Sequence, residues 1–443
     1  MRIQLSEHFN YNKLLRFVMP SVIMMIFTSI YGVVDGLFVS NFVGKVPFAA
    51  INLIMPFLMV LGALGFMIGT GGSAIVAKTL GEKKREKANE YFSMLIYVTI
   101  ISGIVIAFIG VLFIEPISEF LGAEGEMLKY CIVYGRIIIV ALPAFMLQNV
   151  FQSFLITAEK PRLGLIVTVL AGITNMVLDF LFIAVFKWGV QGAALATAIS
   201  QTVGGVLPFI YFTRKNDSLL QLTKAKFNGE ILIKTCTNGS SELMSNISSS
   251  LVGMLYNFQL LRVAGENGVA AYGVIMYVNF IFVAIFIGYS IGTAPIVGYN
   301  YGAANNCELQ NVFKKSLKIL AITGVVLVAA GITLSGTLAK VFVGYDIELM
   351  EMTKRGLLIY STAFIFTGFN IFGSAFFTAL NNGLISAIIS FLRTLVFQLL
   401  AILILPFFFD LNGIWFAIVV AELAAFVITV ICLIIKRKEY KYI

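Results

Sequence analysis

An all-α polytopic membrane protein, with twelve spanning helices in two parallel six-helix repeats, is the fold class this sequence predicts. Three observations predict it. Of 443 residues, 59% are apolar and 12% charged, whereas soluble domains carry about 25% charged residues. Long uncharged runs recur throughout a chain whose mean hydropathy is +0.96. The second half also repeats the first at a shift of 221 residues, as the matches below demonstrate. Such a composition excludes a soluble enzyme, a nucleic-acid binder and a disordered chain.

The spans come first. Backbone groups in hydrocarbon must bond within their own segment, so the apolar runs are helices. Twelve are placed at about 14–39, 50–77, 91–114, 130–156, 164–186, 190–212, 231–260, 269–298, 313–335, 356–380, 384–407 and 412–435. A span needs about 20 apolar residues, and the length accommodates that number. The amino terminus lacks a short apolar core followed by a cleavage site, so no signal peptide is read.

Orientation follows from the basic residues. With both termini cytoplasmic, the inner segments hold Arg2, Lys13 and Arg16, the cluster from Lys78 to Lys87, Lys160 and Arg162, five bases between Arg214 and Lys234, Lys314, Lys315 and Lys318, Arg393, and the tail from Lys436 to Lys441. That is 23 of the 31 Lys and Arg residues, the asymmetry that the positive-inside rule requires. The net charge of +9 therefore needs no anionic partner.

The duplication is read from paired residues. Gly71, Ile75, Val76 and Gly81 fall on Gly292, Ile296, Val297 and Gly302, while Asn149, Phe151, Ser153, Thr157 and Ala158 fall on Asn370, Phe372, Ser374, Thr378 and Ala379. One shift serves two distant regions. The expected division is an amino-terminal lobe at 1–212, a cytoplasmic linker at 213–230 and a carboxy-terminal lobe at 231–443. Six spans per copy make the copies parallel, and parallel repeats place the substrate site near the midplane between them.

Chemistry is sought among the charges inside spans, because a carboxylate at the centre of a span costs about 2.5–3.5 kcal/mol. Asp35, Asp179, Glu242 and Glu422 qualify, with Arg393 the one base well inside. Asp35 shares a helical stripe with Ser21, Thr28 and Tyr31, and Pro20 permits a bend one turn inside the same helix. Asp179 has Asn175 one turn before it, with Gly172 and Thr168 continuing the stripe. Two acids on helices of one half make a cation or proton site. Glu242 stands on a polar face with Ser245, Asn246, Ser249 and Asn257 and is expected to line the cavity or its inner mouth. Arg393 and Glu422 are expected to pair with each other or with backbone.

Other motifs carry less. GTGGS at 69–73 lacks the Lys-Ser/Thr of a phosphate-binding loop and reads as close helix packing. No Walker, HExxH or GxSxG signature occurs, so no enzyme is expected and transport must draw on an ion gradient. The single His8 reads as a solvated residue, and Cys131, Cys236, Cys307 and Cys432 as packing residues without metal or disulfide. Aromatic and Met side chains lining a cavity would suit flat apolar cations.

Two six-helix halves, Pro20 and Asp35 on helix 1, NMVLD at 175–179 and GAALATAISQ at 192–201 together resemble the multidrug and toxic compound extrusion (MATE) family over nearly the whole chain. The likeness is to the branch with an aspartate pair in its amino-terminal lobe. It implies a coupling site of Asp35 and Asp179 supported by Asn175, Asn149 and Thr197, and a bend of helix 1 at Pro20. Either H+ or Na+ would couple, with Na+ held at Asp35, Asp179 and Asn175. The substrate cavity would take in Tyr31, Gln152, Glu242, Asn246, Ser249 and Asn370. The implied protein is a monomeric, cation-coupled antiporter of the cytoplasmic membrane that exports cationic amphipathic compounds, with no cofactor beyond the coupling ion, membrane lipid as its surroundings and no nucleic-acid partner. The carboxy-lobe aspartate of other branches has no counterpart at Asn370.

Two rival readings are a lipid-linked-sugar flippase, which usually needs 14 spans and several basic cavity groups, and a membrane-embedded enzyme or channel, for which no catalytic constellation or polar pore repeat is seen. The topology is tested on intact cells, where a tag placed after Ile443 is expected to resist added protease until the membrane is permeabilised. Cleavage without permeabilisation would invert the orientation.

Overall fold

The computed structural model describes residues 3–443; Arg2, counted above among the basic residues, lies outside them. Helix α1 spans Tyr11–Phe42, and the side chain of Asn10 caps it by accepting a hydrogen bond from the Lys13 amide at 2.9 Å, satisfying one free N–H of the first turn. Helices α2 (Lys45–Gly81) and α3 (Arg85–Phe120) follow. Helix α4 consists of Gly125–Val140 and Leu142–Thr157, bent by 53° where Pro143 enters the second piece. Helices α5 (Pro161–Val185) and α6 (Gly189–Thr213) complete the first set.

The second set begins with a 74-residue helical stretch, Gly229–Gly302, broken at Gly265, whose φ of 62° and ψ of −153° lie outside the helical region. Only a glycine adopts such a backbone readily. The stretch is therefore two spans, α7 (229–264) and α8 (266–302). Then come α9 (Asn306–Val343), α10 (Ile347–Ser361 and Phe364–Ala379, bent by 50°), α11 (Gly383–Ile404) and α12 (Pro406–Tyr440). Among the described residues twelve spans result, in register with the twelve expected, and the helices overrun the expected spans at most ends. Asp35 consequently sits two turns inside the end of α1 rather than at its edge. The bends in α4 and α10 fall at matching points of the two copies.

The two sets meet along α1 and α2 on one side and α7 and α8 on the other. Backbones touch there because glycines face them: a Cβ on Gly239 would fall on the carbonyl oxygen of Met67, and one on Gly302 on that of Lys78. GTGGS behaves as expected, since a Cβ on Gly71 would strike the backbone of Thr235 and Gly239. All these contacts lie in the halves of the helices nearer the chain termini, the basic end. In the opposite halves, a Cβ on Gly32, Gly36, Gly253 or Gly273 would meet no atom within 4 Å. The seam is thus closed from the basic end to just past the middle, where Ser29 of α1 donates to the Phe280 carbonyl of α8 at 3.2 Å, and open beyond.

Two non-helical segments reinforce the basic end. Residues 3–10, which lead into α1, bury Leu5 and Phe9 completely and attach to α9: Glu308 accepts from the Phe9 amide at 2.9 Å, and Asn311 and Lys315 donate to the Phe9 carbonyl at 2.9 and 2.6 Å. The Leu5 amide also donates to Glu159, after α4, at 2.7 Å. The segment leading into α7 attaches to α3, where Arg85 donates to the carbonyls of Ser218 and Leu219, both at 3.1 Å, and the Thr223 amide donates to Ser93 at 2.8 Å. His8 is corrected here: exposed as expected, its Nδ1 lies 2.6 Å from the carboxylate of Glu308, because the segment carrying it is pinned beside α9. Cys307 is also corrected, being exposed at the start of α9 rather than packed.

A side chain at position 239 should force the seam apart. In Gly239→Leu, carried in a Cys307→Ser background, Cys236 one turn away is expected to react several-fold faster with a maleimide applied from the basic end. Unchanged labelling of a folded variant would mean that the backbone contact does not hold the seam.

Candidate functional site

The two intramembrane acids of the first six helices, Asp35 and Asp179, converge. Asp179 closes the regular part of α5, after which Phe180–Val185 continue in the wider π-helical winding, a departure frequent at functional sites. Asp179 is fully buried, with Asn175 at 2% exposure one turn before it. Asp35 from α1 lies directly against both. Tyr134 from α4 stands beside Thr197 of α6 and within electrostatic reach of the two aspartates, while Tyr31 is next to Asp35 on its own helix.

Within this pocket neither carboxylate oxygen of Asp179 has a hydrogen-bond partner, nor do Asp35 Oδ1, Asn175 Oδ1 or Thr197 Oγ1. Buried polar atoms are normally bonded, so five unsatisfied oxygens on three helices, four of them carbonyl or carboxylate acceptors and one the Thr197 hydroxyl, form a cluster rich in free acceptors. Such a set matches a proton or a hard cation, which takes oxygen ligands. No group of three or more His, Cys, Asp or Glu suited to a metal ion occurs among the described residues, so Asn175 and Thr197 would have to complete the coordination of Na+. Further unpaired atoms, Gln148 Oε1, Asn149 Nδ2 and Gln201 Oε1, lie on α4 and α6. Asn149 is buried but makes no hydrogen bond to either aspartate.

The other six helices place their charges differently. Arg393 Nε donates to both carboxylate oxygens of Glu422, at 2.8 and 3.1 Å, so the expected pairing is observed. Asn370 is corrected: it does not line the cavity. It is fully buried because its amide donates to Glu422 at 2.7 Å and its carbonyl accepts from Thr429 at 3.0 Å, turning it towards α12. Glu242 sits one turn beyond the Gly239 contact, half-buried with Asn246, while Ser249 is exposed and Gln152 of α4 half-buried. The charge of Arg393 reaches Glu242, whose carboxylate is not in the hydrogen-bond network. Pro20 lies within an uninterrupted α1. Tyr134 was not legible beforehand, one tyrosine among 17 with no distinguishing neighbour.

A twelve-span bundle closed at one end, with an acid pocket in its first half, has the build of a polytopic membrane transporter. The MatE family profile matches twice, at residues 20–181 and 243–404, and the chain belongs to that family of transporters. The multidrug export protein MepA of Staphylococcus saprophyticus is 26% identical over 409 residues, 91% of this chain and 87% of that protein. MepA of Staphylococcus aureus is 25% identical over 413 residues, 93% of this chain and 91% of that protein. A solved outward-facing conformation of a multidrug resistance MATE family transporter of the MOP superfamily has a TM-score of 0.92 at 25% identity, covering 97% of this chain and 96% of that one.

Breaking a buried pair strands the remaining charge, which costs about 3–5 kcal/mol, whereas replacing both partners by apolar groups is often neutral. Arg393→Ala is therefore expected to destabilise the detergent-purified protein by about 3–5 kcal/mol, and Arg393→Met with Glu422→Leu by much less. Thermal unfolding reads the difference, and equal losses would show that the pair is not isolated from solvent.

Proposed function

We propose that this transporter is a cation-coupled antiporter, driven by H+ or Na+, that exports cationic amphipathic compounds across the cytoplasmic membrane with both termini inside and acts as a monomer. The observation that carries the reading is the juxtaposition of Asp35 and Asp179 in a pocket of unsatisfied acceptors. The names of the MepA relatives support multidrug export. With the basic end cytoplasmic, the closed seam corresponds to the outward-facing state.

Two like charges about 4 Å apart repel by about 4 kcal/mol at an effective dielectric constant of about 20. A proton shared by the carboxyls, or a sodium ion held by Asp35, Asp179 and Asn175 with Thr197 and Asn149 as support, removes that repulsion and draws α1 towards α5. Helix α1 can transmit the pull because its inner half is not part of the same core. Leu14, Phe17 and Val18 are buried against residues of α8 to α12, and Pro20, which lacks a backbone donor, lies between these residues and Asp35. Bending there would shift the α1–α8 seam, where a Cβ on Gly288 would meet Val22. Coupling and alternating access then share one helix. The cationic substrate would meet Tyr31, Asn246, Ser249, Gln152 and the unbonded carboxylate of Glu242.

Proteoliposomes carrying the protein are expected to move a fluorescent organic cation against its gradient when a sodium or a pH gradient is imposed, each tested alone. Asp179→Asn at equal incorporation should reduce this to the protein-free rate. Full retained transport in that variant removes the coupling assignment.

A further inference from the structure

The duplicated scaffold brings a second constellation to the place where the first half holds its acid pocket. Tyr256 occupies the position of Asp35, and Asn370 that of Asn149, at the 221-residue shift. Arg393 on α11 lies one turn from the position matching Asn175 on α5, and Glu422 is on α12, the counterpart of the helix that carries Thr197. Four corresponding helices therefore converge in each half.

Their states differ in one respect. In the first half both oxygens of Asp179, one oxygen of Asp35 and the amide nitrogen of Asn149 have no partners. In the second, Glu422, only 2% exposed, receives Arg393 Nε and the Asn370 amide, and Asn370 in turn receives Thr429 at 3.0 Å. Tyr256 stands near Glu422, with its hydroxyl unpaired. The first pocket carries two acids and no base, and the second one acid and one base, so the second is neutral as it stands.

We propose that the carboxy-terminal half contains a counterpart of the cation pocket in which the guanidinium of Arg393 is a tethered cation, occupying the place that a free monovalent cation takes in the amino-terminal half. The proposal rests on the reading of the first pocket as a cation site. It makes the second site pre-loaded: Glu422 is neutralised by a group that cannot leave, so this half neither takes up nor releases an ion during transport. Removing the tether should expose a latent site, formed by Glu422, Asn370 and the Tyr256 hydroxyl, for a free cation of the same charge.

The test uses full-length protein in detergent, in an Asp179→Asn background that disables the first pocket. Adding Arg393→Ala is expected to create saturable binding of one methylguanidinium per molecule by calorimetry, with a rise in melting temperature, absent from Asp179→Asn alone. Further addition of Glu422→Gln should abolish it. No methylguanidinium binding by a folded Arg393→Ala protein, or binding that survives Glu422→Gln, overturns the proposal. Arg393→Gln keeps the side-chain volume should the alanine variant not fold, and is expected to take up one sodium ion or proton more than its parent; equal uptake overturns the proposal as well. If wild type and Asp179→Asn bind sodium and protons identically, the reading of the first pocket falls, an outcome read independently of Arg393.

Discussion

The rest of the structure depends on a carboxylate held out of water without a donor. Asp179 is fully buried and neither of its oxygens is hydrogen-bonded, a condition that membrane interiors penalise and that persists only where the surrounding structure enforces it. The enforcement is visible in the helices around it. The π-helical winding after Asp179, the stacked Phe182 and Trp188 rings with centroids 4.8 Å apart, and the core of Tyr134, Ile138, Ile183 and Ala194 hold α5 against α4 and α6. Asp35 enters this arrangement from α1, which packs along α5. On the proposed reading, a proton or sodium ion in the pocket would draw these two helices together.

Movement needs a second contact of comparable definition. The inner half of α1 belongs to the core of the opposite six helices, and backbone meets backbone at Gly71, Gly239 and Gly302 without intervening side chains. Small residues at such crossings supply close packing where hydrocarbon offers no hydrophobic drive for helix association. The leading segments add polar fastening at the same end, each on the third helix of the half it does not lead into, through Glu308 and Arg85. The closed state is thus stabilised by contacts that can be surrendered together, while the helices within each half stay packed.

The two halves share a scaffold and differ in charge. Where the first leaves the oxygens of Asp179 unbonded, the second presents a bonded chain of Arg393, Glu422, Asn370 and Thr429. On the proposed reading, the neutralised acid of the second half would hold no ion, and the unsatisfied acids of the first would respond to one. A duplicated bundle that was equally responsive on both sides would have to load two sites before rocking. On the proposed reading, confining the open acids to one copy would leave a single loading event to govern the seam.

Much of this was legible in the sequence, for reasons of energy. Charges are so costly in hydrocarbon that Asp35, Asp179, Glu242, Glu422 and Arg393 stood out by position alone, and the twelve spans followed from hydropathy because backbone in lipid has no alternative to helix. Spacing along α5 put Asn175 and Asp179 on one face before any coordinates. Spacing could not say that Asn370 turns away from the cavity, that His8 meets Glu308 across 300 residues, or that Tyr134 joins the acid pocket. Those placements are set by how separate helices pack, and one helix's periodicity carries no record of its neighbour's rotation. The sequence by itself determined which helices form and which of them bear charge. Tertiary packing alone decided which charges are paired, which are left without donors, and at which end the halves close.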